Sequence, residues 1–323
     1  MRVLFRALFL LACLIPAACD GPAASSGTPM ITAVQREPWQ SPYSTGYALT
    51  SEHYRIFSTA RSYALRAYLP GFMEASYRNY LALTGLPGEA GEPMPIYMLG
   101  SRQEWAALTR TVLGESSDAL NVEAGGYCHK GICVFWDIGG TGTFSVAAHE
   151  SLHQFLYHRL KDRLPMWLEE GLCTMAEGHR IEGDSVLFTP EDNPTRFGAL
   201  RAAIVNDRWI RLEKLLSMDA VDAVQGGTER ALGYYGQLWA LVQFMRSDAL
   251  YRVGMERMLA DAVAGRFCVP MNVPAPALSQ LRGDLRAYNR TVAEPLFRHY
   301  ISSDLSGFER QYASFARKLA KLE

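Results

Sequence analysis

The chain has 323 residues, of which 32 are Lys or Arg and 33 are Asp or Glu, so its formal net charge is −1. This balance excludes the basic excess with which nucleic-acid-binding proteins neutralise phosphates, and we expect no nucleic-acid partner. Hydrophobic residues make up 49% of the chain and charged residues 20%, which is typical of a packed globular protein and excludes overall disorder. The length predicts about two domains, or one domain with a helical extension.

The first residues have the pattern of an export signal. Arg2 and Arg6 supply positive charge, and an apolar run followed by two alanines leads to Cys19. The run is shorter than the ~20 apolar residues of a membrane-spanning helix, so residues 1–18 are predicted to be a cleaved signal peptide. Ala-Ala-Cys resembles the cleavage site of bacterial lipoproteins, which implies a lipid anchor on Cys19; plain secretory cleavage is the alternative. Either route predicts export to the periplasm or cell envelope, and a lipid anchor adds the membrane as a partner.

The rest of the chain divides by composition and periodicity. Residues 19–45 are small, polar and rich in proline, which predicts a flexible tether. Residues 46–180 contain strand-like and helix-like patterns and are predicted to form an α/β domain, and residues 181–323 are predicted to form a helical subdomain. The fold class that follows is α+β, with a mixed sheet first and a helical part after it. The later helical candidates are 144–160, 166–177, 196–206, 228–247, 250–264, 276–301 and 305–321.

Four cysteines follow Cys19, and export would place them in an oxidising compartment where disulfides form. Cys128 and Cys133 flank a short turn between apolar strands. Facing hairpin positions have Cα separations within disulfide range, so we expect these two residues to bond. Cys173 and Cys268 are then paired by elimination only.

His149-Glu150-Ser151-Leu152-His153 is a His-Glu-x-x-His motif within a predicted helix. Residues four apart lie one helical turn above each other, so His149 and His153 can reach one Zn²⁺ at about 2.0–2.1 Å. Glu150 points about 100° away and can act on a water at the metal without being a ligand. Two satisfied surface histidines are the alternative. A chance match in a chain of this length is on the order of 1%, so the motif favours a metal site.

A second helix is predicted over residues 166–177. Glu170, Thr174 and Glu177 line one stripe of this helix. Carboxylates on one stripe, directly after two histidines, can provide a third metal ligand and a group that orients a ligand histidine; a solvated acidic face is the alternative. Gly171 costs roughly 1 kcal/mol relative to Ala in a helix, which predicts that two helices approach closely there.

Two segments carry a family resemblance: Ala148-His149-Glu150-x-x-His153 and Pro165-x-Trp167-Leu168-x-Glu170-Gly171-Leu172. Together they resemble the gluzincin zinc metallopeptidases, and most closely the bacterial peptidase-MA-like families. The resemblance implies a thermolysin-like arrangement with one Zn²⁺ per chain. It assigns His149, His153 and Glu170 as zinc ligands, with Glu169 as the alternative to Glu170, and Glu150 as the general base.

The resemblance also suggests supporting residues. Glu177 or Thr174 would orient a ligand histidine. Tyr234 and Tyr235 start a segment similar to the downstream helix of these families, where a tyrosine hydroxyl could stabilise an oxyanion. We favour Tyr235 for this role; packing of aromatic residues along an amphipathic helix is the alternative.

The expected function is that of an exported zinc metallopeptidase acting on a peptide or protein substrate. The sheet edge near residues 125–136 is expected to hold an extended peptide, because backbone pairing does not depend on side-chain identity. One alternative is a non-catalytic envelope lipoprotein that uses the scaffold as a binding or assembly module. Another is a zinc hydrolase of a non-peptide amide, because substrate preference depends on the pocket rather than on the motif.

Overall fold

The structure is a computed structural model that describes residues 27–41, 43–115, 117, 120, 125–281 and 284–323. The predicted signal peptide, residues 1–18, and the predicted lipidation site, Cys19, lie outside this part of the chain. Among the described residues, no helix combines the length and the hydrophobicity that a membrane span requires.

The strands form two sheets. The strands are β1 (Thr28–Pro29), β2 (Gln35–Gln40), β3 (Thr45–Thr50), β4 (Tyr54–Ser58), β5 (Met94–Leu99), β6 (Gly126–His129), β7 (Ile132–Trp136), β8 (His179–Glu182) and β9 (Ser185–Phe188). The larger sheet has the order β2-β3-β4-β5-β7-β6 and the smaller sheet the order β1-β9-β8. β5 is parallel to both of its neighbours, whereas the other pairs are antiparallel, so the larger sheet is mixed.

Helices connect the strands of the larger sheet and form most of the chain after it. They are α1 (Tyr63–Thr84), α2 (Arg102–Leu113), α3 (Gly140–Arg159), α4 (Met166–Ala176), α5 (Pro194–Val205), α6 (Leu212–Ser217), α7 (Ala220–Gln225), α8 (Thr228–Ser247), α9 (Ala249–Ala264), α10 (Cys268–Met271), α11 (Ala275–Leu281), α12 (Leu285–Tyr300) and α13 (Leu305–Leu319). The predicted α+β class, with a mixed sheet followed by a mostly helical part, is confirmed.

The segment before β3 differs from the predicted tether. β2 pairs with β3 along its whole length, and Met30 is fully buried. Pro38 and the largely exposed side chains of β2 are tolerated because β2 is an edge strand. The described part of residues 19–45 is therefore ordered structure from Thr28 onward, and not a tether.

The position of β7 in the sheet explains why its sequence does not alternate between polar and apolar residues. It lies inside the larger sheet, between β5 and β6. Cys133 and Phe135 belong to the main hydrophobic core, whereas Val134 and Trp136 pack with Trp105 of α2 in a smaller core. A strand that is covered on both faces consists of a nearly continuous apolar run. This strand leads directly into α3, so the helix starts from a rigid support.

One hydrophobic core extends through both of the predicted domains. It contains Tyr54 and Phe135 of the sheet together with Trp167, Trp239 and Phe297 of the helices. The predicted boundary near residue 180 therefore does not separate two cores. Because α3, α4, α5 and α8 all pack into this core, side chains from distant parts of the sequence meet at fixed positions.

Candidate metal centre

Helix α3 places both histidines of the motif on one side. It starts at Gly140 rather than at the predicted Phe144, and Gly139 and Gly140 have φ angles of 84° and 53°, which favour glycine. His149 and His153 lie one turn apart, and their ring centroids are separated by 5.1 Å. The helical placement of the motif is therefore confirmed.

Glu170 of α4 faces the same two rings. Its Oε2 lies 3.3 Å from Nε2 of His149 and 3.6 Å from Nε2 of His153. This oxygen is buried and has no hydrogen-bond partner among the described residues. Native proteins satisfy nearly all buried polar atoms, so its position between two imidazole nitrogens fits a shared cation. Two imidazoles and one carboxylate are a common set of protein ligands for catalytic zinc.

Glu169 also turns inward, but toward the other nitrogen of His153. Nδ1 of His153 donates to Oε1 of Glu169 at 2.8 Å. Arg163 donates to both oxygens of the same carboxylate, each at 3.1 Å. A proton on Nδ1 leaves the lone pair of Nε2 directed toward Glu170, as a metal ligand requires. Glu169 is therefore a support for His153 and does not take the place of Glu170.

His149 has a matching support. Its Nδ1 donates to Oε1 of Glu177 at 2.8 Å, the contact expected of a group that orients a ligand histidine. Arg196 donates to both oxygens of Glu177, at 2.6 and 2.7 Å, and Nδ2 of Asn193 donates to Oε2 at 3.0 Å. The sequence analysis missed Arg163, Arg196 and Asn193, because they approach the centre only through tertiary packing.

Thr174 does not make the contact that was suggested for it. Its hydroxyl donates to the carbonyl of Gly171 at 2.7 Å, within α4. Gly171 itself faces α8: a Cβ there would lie 2.4 Å from Cγ2 of Val242 and 3.1 Å from the carbonyl oxygen of Leu238. The close approach of two helices at this glycine is therefore confirmed.

With both imidazoles neutral, as metal binding requires, the charges of the centre do not balance within the described residues. The charged groups are the carboxylates of Glu150, Glu169, Glu170 and Glu177 and the guanidinium groups of Arg163 and Arg196. Four negative charges therefore face two positive ones. Uncompensated charge is costly away from water, and the difference equals the charge of one divalent cation.

The pKa values of the centre reflect the same imbalance. Burial lowers the pKa of His149, but the carboxylates of Glu170 and Glu177 beside its two ring nitrogens raise it to about 9. Burial raises the pKa of Glu170, but the charges of His153 and His149 hold it well below its ordinary value. Without a metal, protons on the histidines thus supply the missing positive charge.

Glu150, the predicted general base, is half-buried on α3. Burial raises the pKa of its carboxyl, and the charges of His149 and His153 oppose this shift only in part. A raised pKa makes the carboxylate a stronger base, which suits a group that takes up a proton. Its backbone carbonyl accepts a hydrogen bond from the thiol of Cys133 at 3.1 Å, which fastens this turn of α3 to β7.

The structure separates the two tyrosines of α8. Tyr234 is fully buried and its hydroxyl donates to the carbonyl of Met218 at 3.4 Å, so it belongs to the core. Tyr235 is half-buried, and its ring centroid lies 6.2 Å from that of His149. Burial and the charge of Glu170 raise the pKa of Tyr235 well above its ordinary value, so its hydroxyl remains a proton donor.

Cys173 is a neighbour of the histidine pair that the sequence analysis missed. Ligand atoms of His149, His153 and Cys173 lie within 4.8 Å of one another. Burial raises the pKa of the Cys173 thiol to about 12, although the charge of His153 lowers it. In the metal-free protein the sulfur is therefore protonated, whereas the lowered pKa of Glu170 keeps its carboxylate ionised, so a metal would bind Glu170 without displacing a proton from it. This chemistry favours Glu170 as the third ligand.

A second group of possible ligand atoms comes from Glu52, His53 and Glu74, at the start of β4. Here the carboxylate of Glu74 is already satisfied. Its Oε1 accepts from the hydroxyl of Ser51 at 2.7 Å and from the amide of His53 at 2.8 Å, and Oε2 accepts from Nδ1 of His53 at 2.6 Å. These contacts join α1 to β4 and leave no unsatisfied atom that points to a cation.

The β6–β7 hairpin is bound to α3 by hydrogen bonds. The amide of Gln154 donates to the carbonyl oxygens of Pro95 at 2.7 Å and Gly131 at 2.8 Å. His158, one turn further along, lies 3.3 Å from the same carbonyl of Gly131. Within the described part of the chain, β6 pairs only with β7 and is the last strand on this side of the larger sheet.

The predicted disulfide pair faces across this hairpin. Cys128 and Cys133 are direct partners in the antiparallel register, next to a tight turn in which Lys130 and Gly131 have φ angles of 48° and 75°. Both residues are free thiols in the structure, as are the other two described cysteines. The proximity is therefore as expected, while the bond itself stays a prediction for the oxidised protein.

Comparison with protein-family models, with curated proteins and with solved structures finds no match to this chain.

Proposed function

We propose that the chain is a zinc-dependent metallopeptidase with a gluzincin-type, thermolysin-like arrangement of ligands. The observation that carries this proposal is the unsatisfied Oε2 of Glu170, which faces Nε2 of both His149 and His153. The two negative charges left unbalanced by the surrounding arginines support a divalent ion at the same place.

In this proposal His149, His153 and Glu170 hold the ion, and Glu177 and Glu169 fix the two imidazoles. Zinc, when bound, supplies Lewis acidity that polarises a substrate carbonyl and acidifies a water. The carboxylates behind the histidines keep protons on Nδ1 and so keep both Nε2 atoms available.

Glu150 acts first as the general base and then as the general acid. Its carboxylate accepts a proton from the attacking water and then donates it to the nitrogen of the leaving amine. The raised pKa of Glu150 supports both steps, because a stronger base accepts the proton more readily and still releases it to an amine.

Tyr235 acts on the other side of the scissile carbonyl. Its hydroxyl donates a hydrogen bond to the oxygen on which negative charge develops, a contribution that typically amounts to about 3–4 kcal/mol of transition-state stabilisation. Its position beside the ring of His149 and its raised pKa support this role.

The edge of β6 that pairs with no described strand holds the substrate. An extended peptide can add to this edge through backbone hydrogen bonds, which position it without selecting its sequence. Gln154 ties the hairpin of β6 to α3, so the peptide and the general base are held by the same helix. Export and a lipid anchor on Cys19 would place this activity in the cell envelope, as the sequence of the first residues predicts.

The test combines zinc content and peptide cleavage in three proteins: the wild type, Glu150→Gln, and the matched control Glu182→Gln, which changes an exposed glutamate on β8. Elemental mass spectrometry should find about one zinc per chain in all three. Cleavage of a peptide library should be abolished in Glu150→Gln and unchanged in Glu182→Gln.

Two results would contradict the proposal in different ways. Zinc binding without cleavage of any peptide would favour a binding module or hydrolysis of a non-peptide amide. Absence of zinc after incubation with excess metal, in a folded protein, would reject the metal centre itself.

A further inference from the structure

Arg196 contacts both Glu177, which holds His149, and the ring of Tyr235. It lies in the first turn of α5, and only 14% of its side chain is exposed. Its guanidinium group donates to both carboxylate oxygens of Glu177 at 2.6 and 2.7 Å. The same group lies over the ring of Tyr235, with Cζ 5.1 Å from the ring centroid.

The start of α5 holds this arginine in place. Asn193 is the N-cap of the helix, and its side-chain oxygen accepts from the amide of Arg196 at 3.2 Å. Nδ2 of Asn193 donates to Glu177 and, at 3.2 Å, to the carbonyl of Thr174. The helix cap and the support of His149 therefore share one side chain, which fixes α5 against α4.

Each contact of the guanidinium group constrains a different element. A bidentate pair with a carboxylate fixes both the position and the plane of Glu177, and Glu177 in turn holds Nδ1 of His149. A buried cation over an aromatic ring restricts how far that ring can rotate or move away. The side chain of Tyr235 on α8 is therefore linked through Arg196 to the carboxylate that holds His149.

We propose that Arg196 is a positioning residue for both His149 and Tyr235. The inference rests on the proposed function, because the orientation of Tyr235 matters to the reaction only if its hydroxyl donates to the oxyanion. A residue with this double role couples metal binding to oxyanion stabilisation.

The chain offers a matched control in Arg163. This arginine makes the same kind of pair, with Glu169, and so supports His153. Within the described residues it lies over no aromatic ring. Arg163 therefore shares the metal-side role of Arg196 and lacks the contact with Tyr235.

The experiment is a pair of double-mutant cycles on the full mature chain. Arg196→Lys and Arg163→Lys are each combined with Tyr235→Phe, since lysine keeps the charge but loses the planar bidentate contact. The measured quantities are the zinc dissociation constant, kcat and KM at saturating zinc, and the affinity for a peptide phosphonamidate, a mimic of the tetrahedral intermediate.

Both lysine variants should weaken zinc binding by about 10-fold, as loss of a support behind a ligand histidine typically does. Tyr235→Phe should lower kcat by about 10²-fold with little change in KM. Adding Arg196→Lys to Tyr235→Phe should lower kcat by less than about 3-fold more, because the hydroxyl it positions is already absent. Arg163→Lys should lower kcat by the same factor in the Tyr235→Phe background as it does in the wild type.

The inference would be overturned if Arg196→Lys lowered kcat by the same factor with and without Tyr235→Phe, as is expected for Arg163→Lys. If the protein binds zinc and the phosphonamidate but cleaves no peptide, the peptidase proposal fails. The role of Arg196 is then decided by the same double-mutant cycles, with the affinity for the phosphonamidate as the measured quantity. A crystal structure of Arg196→Met gives a further measurement that needs neither zinc nor turnover: Tyr235 displaced from the ring of His149 supports the inference, and an unmoved Tyr235 contradicts it.

Discussion

The thiol of Cys133 donates a hydrogen bond to the backbone carbonyl of Glu150 at 3.1 Å and at the same time faces Cys128 across the β6–β7 hairpin. In an oxidising compartment we expect the two cysteines to form a disulfide, which replaces the thiol hydrogen bond of Cys133, closes a short loop and stabilises the protein by about 2 kcal/mol relative to the reduced form. Peptide mapping by mass spectrometry, with and without reductant, detects the bond, and urea unfolding measures its effect. Free thiols at both positions in the exported protein would contradict this prediction.

The ligand set can be tested by comparing two neighbours on α4. Glu170→Gln removes the unsatisfied carboxylate oxygen and should weaken zinc binding by at least about 100-fold, whereas Cys173→Ala should change it by less than about 10-fold. The difference arises because the thiol must lose a proton from a group whose pKa is about 12 before it can bind. Competition with a chelator measures both constants, and the reverse order would identify Cys173 as the third ligand.

The stability of the metal-free protein should depend on pH in an unusual direction. The pKa of His149 is raised from an unfolded value of about 6.5 to about 9 in the folded protein. A raised pKa means that the folded state binds the proton more tightly, so this stabilisation is complete below pH ~6.5 and is lost as the pH rises through about 9. Thermal unfolding of chelator-treated protein should therefore show a falling Tm between these values.

Two comparisons make the origin of this pH dependence clear. In His149→Gln the fall in Tm should be smaller, because one of the titrating groups is absent. With saturating zinc the trend should reverse, because metal binding requires neutral imidazoles and is weakened by acid. A Tm of the metal-free wild type that rises from pH 6.5 to 9 would show that the carboxylates do not hold protons on the histidines.

Gly171 should tolerate no side chain. Gly171→Ala places a Cβ 2.4 Å from Cγ2 of Val242, and we expect a loss of about 1–3 kcal/mol in the free energy of unfolding. Val242→Ala, which removes the clashing methyl group, should restore part of this loss in the double mutant. Gly198→Ala in α5 is the control: no atom lies within 4 Å of its Cβ position, so it should stabilise the protein by about 0.5–1 kcal/mol.

Urea unfolding of these variants gives the required free energies. If Gly171→Ala is as stable as the wild type, α4 and α8 can separate without cost. The close contact between the helix of Glu170 and the helix of Tyr235 would then not be a fixed feature of the centre.

The placement of the two histidines was predictable because it depends on local geometry. His149 and His153 are one helical turn apart in any helix, whereas Glu170 was expected only from the resemblance that the Pro-x-Trp-Leu-x-Glu-Gly pattern carries. The alternative of Glu169 could not be decided from the sequence, because adjacent helical residues point in different directions and the helix position relative to α3 is set by packing. In the structure Glu169 reaches the opposite nitrogen of His153.

The donors that hold the carboxylates of Glu169 and Glu177 could not be predicted in the same way. Arg163, Asn193 and Arg196 have no motif, and the last two reach Glu177 only because α5 packs against α8 and the loop before it closes on α4. The only available signal is chemical: a buried carboxylate beside a histidine needs a cation or other donors, which predicts that some arginine approaches but not which one.

The differences between the predicted and the observed elements of the fold also have physical causes. The segment before β3 looks like a tether because an edge strand needs few apolar residues, and β2 is such a strand. A single helix was predicted over residues 276–301, where α11 ends at Leu281 and α12 starts at Leu285 with Asp284 as its N-cap. The apolar periodicity continues across this interruption, so periodicity alone does not reveal it.

X-ray absorption at the zinc edge of the purified protein tests whether two imidazoles and the carboxylate of Glu170 hold one zinc ion. We expect nitrogen and oxygen scatterers at about 2.0–2.2 Å with an imidazole signature from two histidines, and no sulfur. A sulfur scatterer at about 2.3 Å would place Cys173 in the ligand set, and a spectrum without the imidazole signature would contradict the proposed centre.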